Sequence, residues 1–267
     1  MKINDVIEKI LSHHPALTGD KPTCDGYKCG NPDDECTGIV TTVAASVEVI
    51  QKTIALGANL IVVHEPTFYT HMDTTDWLEN NEIYKEKLAL LNRHGIAVWR
   101  DHDHIHADKP DGIMYGIMME LGWQDYLERE EGFQFQFRLP PITVRNLARF
   151  LKDKIGLNAV RVIGNIDAEI TTVAFIGHIL FDEKKATQYA NDNHIDVLIP
   201  GEAIDWTTVS YIRDAGQLGK HQALLHLGHM SMEELGMKWA ANWIRDLIDA
   251  QLPVTFIRSA DMYQYVI

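Results

Sequence analysis

The chain has 267 residues, 46% of them hydrophobic, enough for a substantial core in one large domain or two modest ones. A formal net charge of -14 opposes a phosphate backbone, since affinity for nucleic acid comes from cationic side chains that displace counterions; nucleic-acid binding is not expected. No run reaches the roughly 20 apolar residues that span a bilayer, and the opening MKINDVIEKILSHH lacks a signal peptide's apolar stretch and small-residue cleavage site, so a soluble cytoplasmic protein with no membrane partner is expected.

Cys24, Cys29 and Cys36 are odd in number and close together, which suits neither a disulfide framework nor a four-cysteine zinc site; free thiols are expected. Apolar residues at helical spacing from Val47 to Leu56 stop at Gly57, and the compact run Leu60 to Val63 reads as a buried strand. The pattern recurs as a helix around Leu78 to Arg93, a strand over Ile96 to Trp99 and a further helix near Gly112 to Leu121. In open α/β sheets ligands collect beyond the carboxyl ends of strands, so chemistry is expected just after Val63 and Trp99.

Strict alternation over Phe133 to Arg138 predicts a half-buried strand, with Pro140-Pro141 breaking the chain before a helix capped by Thr143. Strands are then expected near 159–164, 170–176, 195–199, 222–227 and 253–258, separated by helices near 183–193, 205–215 and 232–250. The fold class is α/β, in two halves of similar architecture, residues 1–125 and 126–267, with mixed sheets flanked by helices.

Four places carry chemistry. His64-Glu65-Pro66 follows a buried strand and sets an imidazole beside a carboxylate, both metal-ligand types, although a strand-end histidine with a solvated glutamate is the plainer alternative. In Asp101-His102-Asp103-His104-Ile105-His106-Ala107-Asp108, three histidines alternate with other residues, and an extended backbone would put all three imidazoles on one face. Imidazoles among carboxylates point to a borderline transition metal. In Gly228-His229-Met230-Ser231-Met232-Glu233-Glu234, Ser231 and Glu234 suggest a capping box, with His229 and Glu233 four apart at a helix entrance where both can approach one ion. Gly201-Glu202 follows another apolar strand, and Glu202 is placed to orient a ligand, to serve as a general base or to cap a helix near Ile204. His178 also ends a strand, whereas His13, His14, His71, His94, His194 and His221 have no partner pattern and read as ordinary surface or core residues.

Together these motifs resemble the NGG-interacting-factor-three-like family, often described as type 2 GTP cyclohydrolase I. Its strand followed by His-His-Pro is similar to Val63-His64-Glu65-Pro66, its His-x-x-x-Asp segment to His102 through His106, its Gly-Glu to Gly201-Glu202 and its closing Gly-His-x-x-x-Glu to Gly228 through Glu233. The resemblance implies two related α/β domains with a metal site between them, and a homohexamer. It also implies two divalent ions per subunit, zinc, iron or manganese. The implied ligands are His64, Glu65 in place of a second histidine, His106 in place of an aspartate, His229 and Glu233. On that pattern Glu233 bridges the ions, His64 and His106 serve one, Glu65 and His229 the other, and His102 or Glu202 moves protons.

The expected function is that of a dinuclear metal-dependent hydrolase acting on a small molecule, a nucleotide or cyclic amide. A metal-binding regulatory or scaffold protein without turnover is the alternative, because structural and catalytic ligands look alike in sequence. Amidohydrolases need eight strand-helix units, which this pattern does not supply. Neither a Walker Gly-x-x-x-x-Gly-Lys nor a dinucleotide Gly-x-Gly-x-x-Gly motif is present, so metals rather than a P-loop would hold any nucleotide.

Overall fold

A computed structural model describes residues 1–20, 22–177 and 183–266. Its strands are β1 (Gly26–Cys29), β2 (Ile39–Thr42), β3 (Leu60–Val63), β4 (Ala97–Arg100), β5 (Leu127–Glu131), β6 (Gln134–Thr143), β7 (Arg161–Gly164), β8 (Glu169–Ile176), β9 (Val197–Pro200), β10 (Ala223–His226) and β11 (Val254–Phe256). Its helices are α1 (Ile3–His13), α2 (Val47–Ala55), α3 (Glu82–Arg93), α4 (Asp103–Ala107), α5 (Gly112–Leu121), α6 (Val144–Ile155), α7 (Glu183–Asp192), α8 (Thr208–Gln217) and α9 (His229–Leu247). The class is α/β with two mixed sheets flanked by helices. Among the described residues no helix is long and apolar enough to cross a membrane. His178 lies outside the described residues.

The chain divides into two compact units, Met1–Gly116 with Glu234–Ser259, and Ile117–Glu233 with Ala260–Ile267. The boundary expected at 125/126 compares with a division after Gly116. Glu234–Ser259 joins the first unit because β11, expected in the second half, pairs parallel with β2 instead, Val254 opposite Ile39.

In the first unit the sheet order is β1-β4-β3-β2-β11, parallel throughout except for β1 against β4. β2, β3 and β4 are buried along their whole length, and β3 is an unbroken apolar run for that reason. Val40, Ile50, Ile61, Val63, Leu91 and Val98 form the core beneath α2 and α3, each such side chain contributing about 1.5–3 kcal/mol on burial. Ser46 starts α2 by accepting from the Val49 N–H.

The second unit orders its strands β5-β6-β8-β9-β10-β7, with β8, β9 and β10 parallel and the outer pairs antiparallel. Ala174, Ile176, Leu198, Ile212 and Leu224 form a core cluster. Pro140-Pro141 does not end β6 as expected. The register against β8 shifts between Arg138 and Ile142, and the strand absorbs the prolines as an irregularity before Thr143 accepts from the Asn146 N–H to cap α6.

Two local expectations are corrected. Residues 103–107 form α4 rather than an extended segment, because the Asp25 carboxylate accepts the N–H groups of His102, Asp103 and His104 and so supplies from outside the cap that a short helix needs. α9 begins at His229, so Ser231 and Glu234 lie inside the helix and form no capping box there; Glu234 instead accepts from the Ser259 N–H at 2.7 Å.

Within the first unit α5 and α9 touch through glycines. A Cβ at Gly116 would meet the Gly236 Cα at 2.9 Å, and one at Gly236 would meet the Ile113 carbonyl oxygen at 2.9 Å. Alanine would gain about 1 kcal/mol of helix propensity, but forcing backbone apart costs about 1–3 kcal/mol, so Gly236→Ala is expected to lower unfolding free energy in urea. A second prediction comes from Glu234. Burial pushes its carboxyl up to about 7, against a hydrogen bond from Ser259 and the nearby Arg258. A raised folded value stabilises fully below the unfolded value of 4.5 and is lost as pH rises through 7. The melting temperature of the native chain should therefore fall between pH 5 and 8 relative to Glu234→Gln, which lacks this titration.

Candidate metal centre

β3 and β4 run parallel with Val63 opposite Arg100, so the residues that follow them emerge side by side. His64 is fully buried, its backbone N–H donating to the Val43 carbonyl at 3.1 Å. Its Nδ1 lies 3.1 Å from the Asp101 carbonyl oxygen. A carbonyl only accepts, so Nδ1 carries the proton and, in the neutral ring, Nε2 carries the lone pair. His102 occupies the N-cap position of α4, and His106 follows four residues later, one helical turn away. His102 Nδ1 lies 3.0 Å from an Asp103 carboxylate oxygen and His106 Nδ1 2.7 Å from one of Asp111.

The three rings pack together, with centroids 4.7 Å apart for His64 and His102 and 4.8 Å for each of the other pairs. One ligand atom from each lies within 4.8 Å of the others. Burial, then the neighbouring His106, pulls the His102 pKa below its ordinary value, which favours the neutral ring a metal needs. Imidazoles whose outer nitrogen is committed to an oxygen acceptor are the common arrangement at metal centres, because that bond fixes the ring and raises its basicity. The donor set fits a borderline divalent ion.

A charged frame surrounds the rings. Arg100, fully buried, donates through Nε to the His64 carbonyl at 2.9 Å and through Nη1 to the His71 carbonyl, and pairs with Asp73 at 3.6 Å. Its Nη2 lies 3.3 Å from Glu65, so this expected ligand sits in an ion pair with a guanidinium. Asp103 accepts from Thr23, His102 and the Cys24 N–H; these bonds outweigh burial and hold its carboxyl well below the usual range. The Cys24 thiol is pushed up to about 12, chiefly by burial, and stays protonated; all three cysteines are free.

The second unit carries its own group. His229 opens α9, with Nδ1 2.7 Å from Glu202 and Nε2 3.1 Å from Glu233 one turn along. Gly201 permits this approach, since a Cβ there would meet His229 Nδ1 at 3.0 Å. Glu202 thus stands behind the imidazole, as a carboxylate behind a ligating histidine does.

The fold therefore gathers His64, His102 and His106 in one unit, and His229, Glu202 and Glu233 in the other. His104, which the extended reading put with its neighbours, points away to Asp25 at 2.6 Å, because a helix separates alternate residues that a strand would align. Sequence reasoning missed Arg100, Asp111 and His14. Asp111 had a signal in the Asp-Gly pair just after the histidine run. His14, read as ordinary, is buried between Asp101 at 3.1 Å and Asp108 at 2.9 Å, partners more than 80 residues away that nothing local reveals.

A family model described as Duf34/NIF3 (NGG1p interacting factor 3) matches residues 1–262. A Lactococcus lactis protein named GTP cyclohydrolase 1 type 2 homolog is 29% identical over 186 residues, covering 66% of this chain and 69% of its own. A Clostridium perfringens protein of the same name is 21% identical over 280 residues, covering 100% of both. Among solved structures, a Staphylococcus aureus hypothetical protein superposes with a TM-score of 0.76 at 19% identity, covering 100% of this chain and 99% of that one. A Bacillus cereus protein related to NIF3 gives 0.75 at 15%, with the same coverage. These last two likenesses concern the fold. The match along almost the whole length places the chain in the Duf34/NIF3 family.

Proposed function

We propose that the protein is a metal-dependent hydrolase whose ion is held by His64, His102 and His106, with His229 and Glu233 as further ligands for a second divalent ion. The observation that carries this reading is the triad itself, three imidazoles packed within ligand distance, each with Nδ1 committed to an oxygen acceptor. A divalent ion held there would supply Lewis acidity and would lower the pKa of a bound water. His102, first assigned to proton transfer, stands with the ligands. Glu202 acts through His229 by holding its Nδ1. Glu65 remains a proposed ligand, its carboxylate braced by the Arg100 guanidinium at 3.3 Å.

The relatives' shared name supports a small-molecule substrate with a nucleotide or cyclic amide group. A cytoplasmic homohexamer is the expected context.

Metal analysis by mass spectrometry after loading with zinc, iron or manganese, together with a hydrolysis screen over nucleotides and cyclic amides, tests the proposal. His64→Ala and His106→Ala should each remove the bound ion and lower turnover by at least 100-fold; turnover that persists without metal would sink the mechanism. In a parallel experiment Glu202→Gln should lower turnover by roughly 10–100-fold, the usual effect of losing the group behind a ligating histidine. Wild-type rates in that variant would remove Glu202 from the site. A metal-loaded wild type inactive on every substrate would favour a binding role without turnover.

A further inference from the structure

α4 has five residues, too few to hold a helical shape in water on their own, yet it and its N-cap carry two of the three imidazoles. His14 sits where its two ends can be reached at once. Asp101 comes two residues before α4 and Asp108 directly after it. His14 Nε2 lies 3.1 Å from Asp101 Oδ2 and His14 Nδ1 2.9 Å from Asp108 Oδ1. Its side chain has no solvent exposure. Both partners are carboxylates, so both ring nitrogens act as donors and the ring spans the helix as an imidazolium.

The same aspartate reaches the third imidazole. Its backbone N–H donates to the Val63 carbonyl at 2.8 Å, and its own carbonyl accepts from His64 Nδ1 at 3.1 Å. Fixing the Asp101 side chain therefore fixes the peptide that sets the His64 ring and its tautomer. We infer that His14 is a positioning residue for the metal centre: it clamps Asp101 and Asp108 at the two ends of α4 and so holds His64, His102 and His106 in one ligand geometry. His14 itself touches no metal or substrate.

The inference rests on the triad holding the ion, and the experiment separates the two. Cobalt(II) alone is the probe, read by its visible absorption spectrum and by competition with a chelator. Wild type should bind, and His64→Ala should not; if the wild type shows no binding, the triad reading itself fails. Given binding, His14→Phe, which keeps ring volume but removes both donors, should weaken cobalt affinity at least 10-fold and alter the spectrum. Ile50→Val is the comparison for lost stability alone, since Ile50 packs in the core of the same unit, in a cluster that includes neither His14, Asp101 nor Asp108. Equal affinity and an unchanged spectrum in His14→Phe and Ile50→Val would overturn the inference. Where His14→Phe does not fold, Asp108→Asn decides: it frees only the far end of α4, and should give a smaller but measurable loss of affinity with the wild-type melting curve retained. Wild-type affinity in Asp108→Asn would likewise count against the clamp.

Discussion

The buried guanidinium of Arg100 holds the first unit's sheet edge to its loops. Burying an arginine is costly unless every donor finds an acceptor. Here Nε meets the His64 carbonyl, Nη1 the His71 carbonyl, and the remaining charge faces Asp73 and Glu65. The backbone that turns out of β3 is thus drawn to the end of β4, where Arg100 itself sits. Without that tether the residues after two parallel strands would leave in independent directions, and His64 would have no reason to face His102.

A second constraint is electrostatic. Buried imidazoles repel one another once charged, and the depressed pKa of His102, from burial and then from His106, shows the neutral form winning. The carboxylates lie one layer further out. Asp103 and Asp111 hold the outer nitrogens of His102 and His106, and Asp101 and Asp108 are balanced by His14, raised to about 10 because its two hydrogen-bonded carboxylates outweigh burial. Lone pairs are therefore concentrated inside and negative charge outside, an arrangement that stabilises a cation without crowding it.

Much of this is legible in the sequence, and the boundary of legibility is physical. Leu60–Val63 and Ala97–Trp99 announce themselves because strands buried on both faces need unbroken apolar runs. The residues that follow them are then placed by topology alone. α4 is different. Its helical shape depends on Asp25, nearly 80 residues earlier, so local alternation pointed to a strand and gave His104 the wrong company. β11 looks like any short apolar strand, and only pairing with β2 decides its sheet. His229 and Glu233 were readable since a four-residue spacing is a helix's own geometry, whereas the partners of Arg100 and His14 are set by tertiary contacts with no local trace.

The resemblance implies that Glu65 and His106 stand in place of a histidine and an aspartate, an exchange that leaves the formal charge unchanged. The structure makes it unequal. Glu65 lies 3.3 Å from the Arg100 guanidinium, which offsets part of its negative charge where it stands. His106 joins two other imidazoles, and the inner donors of the first unit become three imidazole nitrogens. Carboxylate-rich sets favour magnesium and manganese, while imidazole sets favour zinc, iron and their neighbours in the transition series. In the proposed centre the swap therefore moves preference toward nitrogen-seeking ions, and it does so through an arginine that no ligand motif includes.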